Sequence, residues 1–357
     1  MNYYIAERIS SDERTAWSKA RADAEQIAAN MGFNPICVNG TGKERKNAGT
    51  ADKIRGHREM HGLWKDAFSC LKSGDTLLIQ LPAVNNYLFI SRLFGRLRRR
   101  GVKIIALIHD LETLRMIKDK SLTPKQKLRM KIEEISTLKK CSVLIVHNPQ
   151  MKEFVKEIGI DTPCEVLGIF DYLTGTQGTC TEKNAENKNT VIVAGNLDEH
   201  KSGYIYKMPD GITAELYGVN YKENSNKGLN YHGSFAAEEL PRIIKGGFGL
   251  IWDGESADTC TGAYGEYLRY NNPHKTSLYL ASGFPVIIWK EAALADFVKE
   301  NGVGITVSSL SEIPEKLNGI TDEEYGSMCR NAAEVSKKLT DGYYLTAALK
   351  KALTGDC

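Results

Sequence analysis

Between residues 264 and 289 the chain reads YGEYLRYNNPHKTSLYLASGFPVIIW, and its centre combines a turn, a helix start and a cation. Residues 271–273 make the turn. A helix beginning near His274 leaves its first backbone N–H groups without intrahelical partners and directs its positive dipole end outward, which suits an anion. Lys275 stands in that first turn. A cation there opposes the macrodipole, so a phosphate meeting both the amides and the ammonium accounts for its placement; a solvated surface lysine is the plain alternative. Three further groups have types suited to chemistry. His109-Asp110 follows an apolar run, where Asp110 can deprotonate an acceptor hydroxyl with His109 as the competing base, or can simply cap the next segment. His147-Asn148 follows another such run, and Asn148-Pro149 reads first as a helix start. Asp253-Gly254-Glu255 nearly matches an acidic pair that holds a divalent cation against a diphosphate, although lysines suited to replace that cation argue for no metal. Gly40-Thr41-Gly42-Lys43 lacks the spacing of a phosphate loop and reads as a loop.

The elements that must position these groups alternate strictly. Residues 2–6 read as a strand, 12–31 as a helix started by Ser10 or Ser11 and stopped by Gly32, and 34–38 as a strand. The same alternation continues with strands at 75–81, 102–108, 142–146 and 163–169, separated by helical stretches. Strands joined by helical crossovers run parallel, which makes the first half a Rossmann-like sheet. Residues 173–190 are polar and without apolar periodicity, so they read as a linker. Strands then recur at 191–194, 214–217, 247–252, 285–289 and 304–307, giving a second Rossmann-like domain over residues 191–340, after a first over 1–172. The expected fold class is α/β, with two such domains facing across a cleft that receives the ligand. A last helix, near 343–353, is expected to pack back on the first domain.

The segment 273–285, the Ala194-Gly195-Asn196-Leu197 opening and the run Gly246-Gly247-Phe248-Gly249-Leu250-Ile251-Trp252 together resemble bacterial GT-B glycosyltransferases. The likeness is to galactofuranosyltransferases and to the glucosyltransferases that extend glycans on serine-rich adhesins. It extends over most of the chain. The resemblance implies a uridine-diphosphate sugar as donor substrate, with no separate cofactor, and a hexose, glucose or galactofuranose, moved to a glycan acceptor on a protein or lipid carrier. It also implies that Lys201, Tyr217 and Lys275 contact the donor nucleotide, with His274 and Asn196 beside them; Glu255, read from its own position, can hydrogen-bond the donor sugar or stand as a solvated loop acid. Two ammonium groups can neutralise a diphosphate, and a tyrosine offers a ring to a base or a hydroxyl to a ribose. As a partly buried strand residue, Tyr217 has an equally physical structural role. A nucleotide-sugar epimerase and a non-catalytic partner subunit that binds carbohydrate are the competing readings.

Composition excludes several classes. The chain has 357 residues, 42% of them hydrophobic and 25% charged, with a formal charge of +3, so a nucleic-acid partner would need a local patch. The cluster Arg92, Arg96, Arg98, Arg99, Arg100 and Lys103, with Lys125, Lys127, Arg129 and Lys131 after it, lacks interleaved aromatic residues and does not suit nucleic acid. Basic residues at a helix C-terminus complement its dipole, and the excess beyond that suits anionic lipid headgroups; no run approaches the roughly 20 apolar residues of a membrane span. The N-terminus shows no export signal, and the 8 cysteines form no C-x-x-C pair, so reduced thiols in a cytoplasm are expected. Homo-oligomerisation is compatible with the sequence and is not written in it.

Overall fold

A computed structural model describes residues 1–8, 16–40, 50–83, 90–116, 123–175, 187–223 and 228–355. The chain divides into two compact units. The first comprises Met1–Glu13, Ala24–Leu167 and Thr346–Cys357; the second comprises Arg14–Asp23 and Gly168–Leu345.

In the first unit, strands β1 (Asn2–Arg8), β2 (Asn34–Asn39), β3 (Thr76–Leu81), β4 (Lys103–Ile108), β5 (Val143–Val146) and β6 (Cys164–Val166) pair in the order β2-β1-β3-β4-β5-β6. All pairs are parallel, with Tyr3 opposite Asn34, Leu78 opposite Ile105 and Leu144 opposite Cys164. Every residue of β3, TLLIQL, is buried, as a strand covered on both faces requires. The crossovers run through α1 (Ala16–Asn30), α2 (Thr50–Ala67), α3 (Ile90–Arg99), α4 (Glu112–Met116), α5 (Pro124–Leu138) and α6 (Pro149–Glu157). Thr123 and Gln126 form a capping box at the start of α5, satisfying two donors that the helix itself leaves open. Asn148 caps α6 by accepting from the Met151 N–H at 2.8 Å, which is the role its Asn-Pro sequence favours. Trp64, Phe68 and Phe94 fill the core between this layer and the strands. The end of the Tyr343–Thr354 helix also counts with this unit, where Lys103 Nζ donates to the Leu353 carbonyl at 3.0 Å.

The second sheet contains β7 (Thr190–Asn196), β8 (Thr213–Val219), β9 (Leu229–Tyr231), β10 (Phe248–Ile251), β11 (Val286–Trp289) and β12 (Gly304–Val307), again all parallel. Their order is β12-β11-β10-β7-β8-β9. The chain therefore winds outward in one direction from β7 and in the other from β10, leaving a topological switch point between these two strands. Crevices at such points, beyond the carboxyl ends of the strands, are where open α/β sheets bind ligands.

Two boundaries differ from the sequence expectation. The strand expected at 163–169 ends at Val166, and the second unit begins at Gly168, which takes φ +89°. Residues 168–172 instead run along the His274–Ala281 helix: Ser277 Oγ donates to the Phe170 carbonyl at 2.6 Å, and Asn272 Nδ2 to that of Gly168 at 2.9 Å. Leu229–Tyr231 is an additional edge strand, too short and too polar in its middle for the apolar pattern to reveal.

Candidate active site

The His274–Ala281 helix lies over the switch point of the second sheet. Its Tyr279 ring is fully buried against β10, where a Cβ on Gly249 would come within 2.1 Å of the ring, so the helix can seat only over a glycine. The Tyr279 hydroxyl accepts from the Ala194 N–H of β7 at 2.7 Å. One side chain thus bridges both strands of the switch point and fixes the helix axis relative to their carboxyl ends.

At the start of this helix Lys275 is not the unpaired ammonium its position suggests. Its Nζ donates to the Trp252 carbonyl at 2.7 Å and to Asp253 Oδ1 at 2.8 Å, with the two side chains only 13% and 8% exposed. Asp253 follows β10, and Gly254 at φ +110° turns the chain away immediately afterwards. The anion that offsets the opposed macrodipole is therefore a buried carboxylate of the protein. An ammonium carries three donors, so two engaged here leave one for a phosphate oxygen.

His274 itself reports the local field. Its imidazole packs on Phe170 with ring centroids 4.3 Å apart. Burial, reinforced by the positive charges of Arg21, Lys19 and Lys201, pushes its pKa down to about 4. Lys19 and Arg21 come from α1, at the opposite end of the sequence, within the Arg14–Asp23 segment that folds with this unit. Lys19 is held by Asp23 and by the Leu173 carbonyl at 2.7 Å, and its ammonium lies 4.9 Å from the centre of the Tyr172 ring. No local pattern links residues 19 and 21 to residue 274, which is why the sequence reading passed over both.

The remaining donor-side candidates divide. Lys201, in the short Glu199–Ser202 helix, adds to the field on His274 and sits 5.6 Å from the centre of the Tyr264 ring. Asn196 is exposed at the end of β7, its amide oxygen accepting from the Asp198 N–H at 3.1 Å and from Asn220 Nδ2 at 2.9 Å. Glu255 is exposed and bonds His200 Nδ1 at 3.1 Å, which raises the His200 pKa. Asp253 and Glu255 thus turn to different cationic partners and form no acidic pair. Tyr217 requires a correction. Its ring is 2% exposed and covered by the stacked His232 imidazole at 4.7 Å, and its hydroxyl accepts from the Lys245 N–H at 3.1 Å. It belongs to the core and offers no face to a nucleobase in this arrangement. The outward aromatic surface nearby is the stacked pair Tyr221 and Tyr231, 4.6 Å apart.

In the first unit, His109 is buried beyond β4, with Nε2 bonded to Gln80 Oε1 at 2.7 Å. This suits a positioning role for the ring and removes it from the front rank as a base. Asp110, next along, is half-buried and lines a small cavity of about 100 Å³, open to solvent, with Leu81, Ile90, Glu112, Met130 and Glu134. Glu134 of α5 also caps the following helix, its carboxylate accepting from the Glu112 and Thr113 N–H groups at 2.7 and 2.9 Å. Burial raises the Glu134 pKa against the pull of these bonds. His147 Nε2 meets the Ile108 carbonyl at 2.9 Å and is buried, tying the ends of β4 and β5 together. Residues 41–43 of the Gly-Thr-Gly-Lys stretch lie outside the described residues. Among the described residues no group of three or more His, Cys, Asp or Glu side chains is placed to hold a metal ion.

Two parallel six-stranded sheets, each carrying candidate binding groups beyond its strand ends, make a two-domain Rossmann-like fold of the GT-B type. Sucrose-phosphate synthase from Thermosynechococcus elongatus superposes with a TM-score of 0.67 at 11% identity, covering 99% of this chain and all (100%) of that one. Anabaena Alr3699/HepE in complex with UDP does so with 0.56 at 10% identity, covering 99% of each. Sequence narrows the assignment: residues 2–169 match the Glucosyltransferase 3-like N-terminal domain and residues 191–352 the Glucosyltransferase 3-like C-terminal domain. The β-1,6-galactofuranosyltransferase WbbI of Escherichia coli (strain K12) is 34% identical over 356 residues, 98% of both chains. The chain belongs to the Glucosyltransferase 3-like family.

Proposed function

We propose that the protein transfers a hexosyl group, galactofuranose or glucose, from a UDP-sugar to a hydroxyl group of a glycan acceptor carried on a protein or lipid. The observation that supports this reading is the gathering of Lys19, Arg21 and Lys201 around His274, at the start of a helix that also bears Lys275. Helix amides and several cations in one place match the charge and shape of a diphosphate. The names of the relatives supply the sugar classes, and the UDP bound to the Anabaena neighbour supplies the base.

In the proposed reaction the acceptor oxygen bonds to the anomeric carbon as the bond from that carbon to the diphosphate breaks, and the acceptor proton passes to the Asp110 carboxylate. UDP leaves with its charge held by the His274–Ala281 helix terminus and its cations. Lysines in place of a divalent ion make the transfer metal-independent in this scheme. Product analysis with UDP-glucose and UDP-galactofuranose, each with and without a glycan acceptor, tests it. A new glycoside that forms only with acceptor supports transfer. Conversion of the donor alone to an isomeric nucleotide sugar would refute it in favour of an epimerase.

A further inference from the structure

Helix α5 carries a feature that neither the donor site nor the Asp110 cavity uses. Leu128 and Ile132 are 59% and 58% exposed, one helical turn apart, so they project from the same face. Lys125 and Lys131 are exposed on either side of them, and Lys139 continues the same face at the helix C-cap. Arg129 leans away to pair with Glu133 at 2.9 Å. Helix α3 packs alongside α5, with the Lys140 side chain lying over Gly95, and its last turn carries the exposed Arg96, Arg98 and Arg99. The two basic runs of the sequence thus lie on neighbouring helices, and the second has an apolar pair among its lysines.

We propose that this α3/α5 face docks the protein peripherally on an anionic lipid bilayer, with Leu128 and Ile132 entering the headgroup–acyl boundary between the lysines. Charge complementarity selects this occupant. A second copy would set lysine against lysine, and a nucleic acid would take the cations while leaving two aliphatic side chains against water. Among the described residues no helix is long and apolar enough to cross a membrane, so the contact is interfacial.

Co-sedimentation with vesicles tests the inference, comparing phosphatidylcholine alone with the same lipid containing about one-third phosphatidylglycerol. The full chain is expected to sediment with the anionic vesicles, less so as salt rises. One lysine near such a surface is worth roughly fivefold in partition, so Lys125→Gln with Lys131→Gln should weaken binding by about 25-fold. Leu128→Ser with Ile132→Ser should weaken it by roughly tenfold or more at low salt, where the charges remain. Both variants should melt as the original chain does and transfer to a water-soluble acceptor at the original rate. Failure to sediment with anionic vesicles, or equal binding by the serine variant, would overturn the proposal. So would a serine variant that turns a dimer into a monomer on gel filtration with no lipid binding by either protein, since the face would then cover a second copy.

Discussion

Replacing Lys275 by methionine removes the cation from a pair that is almost withdrawn from solvent, at 13% and 8% exposure. Asp253 would then be left buried without its charge partner, and breaking such a pair from one side costs about 3–5 kcal/mol of stability. The single variant therefore cannot separate a binding role from a structural one. Lys275→Met combined with Asp253→Asn can, because exchanging both members leaves no buried charge and should recover most of the lost stability. If the third donor of Lys275 meets the donor diphosphate, the double variant still loses a charge-assisted bond worth about 1.5–3 kcal/mol, or roughly ten- to hundredfold in UDP affinity. Thermal melting reads the first quantity and calorimetric titration with UDP the second. A double variant that melts normally and binds UDP with the original affinity would refute the assignment of Lys275 to the phosphates and leave it a structural partner of Asp253.

Other consequences are as direct. A bound diphosphate should raise the His274 pKa from about 4, so UDP binding between pH 4 and 6.5 should take up protons, visible as a dependence of the calorimetric heat on buffer ionisation enthalpy. In the free protein His274 and Asp171 should oppose one another. The His274 pKa lies below its unfolded value, so its contribution, about 3 kcal/mol, is present above pH 6.5 and lost as pH falls towards 4. The buried Asp171, which accepts from the Tyr344 and Leu345 N–H groups, has a pKa raised to about 7, so its contribution is present below about pH 4 and lost as pH rises through 7. In a His274→Gln variant, melting temperature should therefore fall more steeply from pH 4 to 6.5 than in the original chain. Asp110→Asn should lower turnover by about two to four orders of magnitude with UDP affinity unchanged; unaltered turnover would return Asp110 to a purely structural place. Transfer should also survive a chelator, whereas activity abolished by chelation and restored by manganese would require a metal site that the present scheme lacks.

Local pattern made the parallel sheets legible, because buried strands such as β3 and β4 are continuous apolar runs bounded by glycine and charged residues. The start at His274 was equally plain from Pro273, and the Asn148 cap from Asn-Pro. What could not be read depends on partners distant in sequence. Nothing near residue 275 announces Asp253, so the cation appeared unpaired. Tyr217 appeared available because the His232 ring that covers it comes from beyond a different strand. The cap that Glu134 supplies to the start of α4 reaches across from α5. The boundary at residues 163–172 was missed because the segment remains apolar while its partners change from strands to the His274–Ala281 helix.

The segment Arg14–Asp23 lies ahead of nearly all of the first unit in sequence yet folds with the second, and Thr346–Cys357 returns to the first. Neither unit is thus a continuous stretch of gene. A chimera joined at residues 173–190 to exchange donor specificity between relatives would carry over the Lys275 helix and leave behind the Lys19 and Arg21 that share its field. Such a graft would set the new His274–Ala281 helix in the field of the old Lys19 and Arg21. Exchanging residues 14–23 together with 168–345, and leaving 346–357 in place, is the unit of recombination that the fold respects.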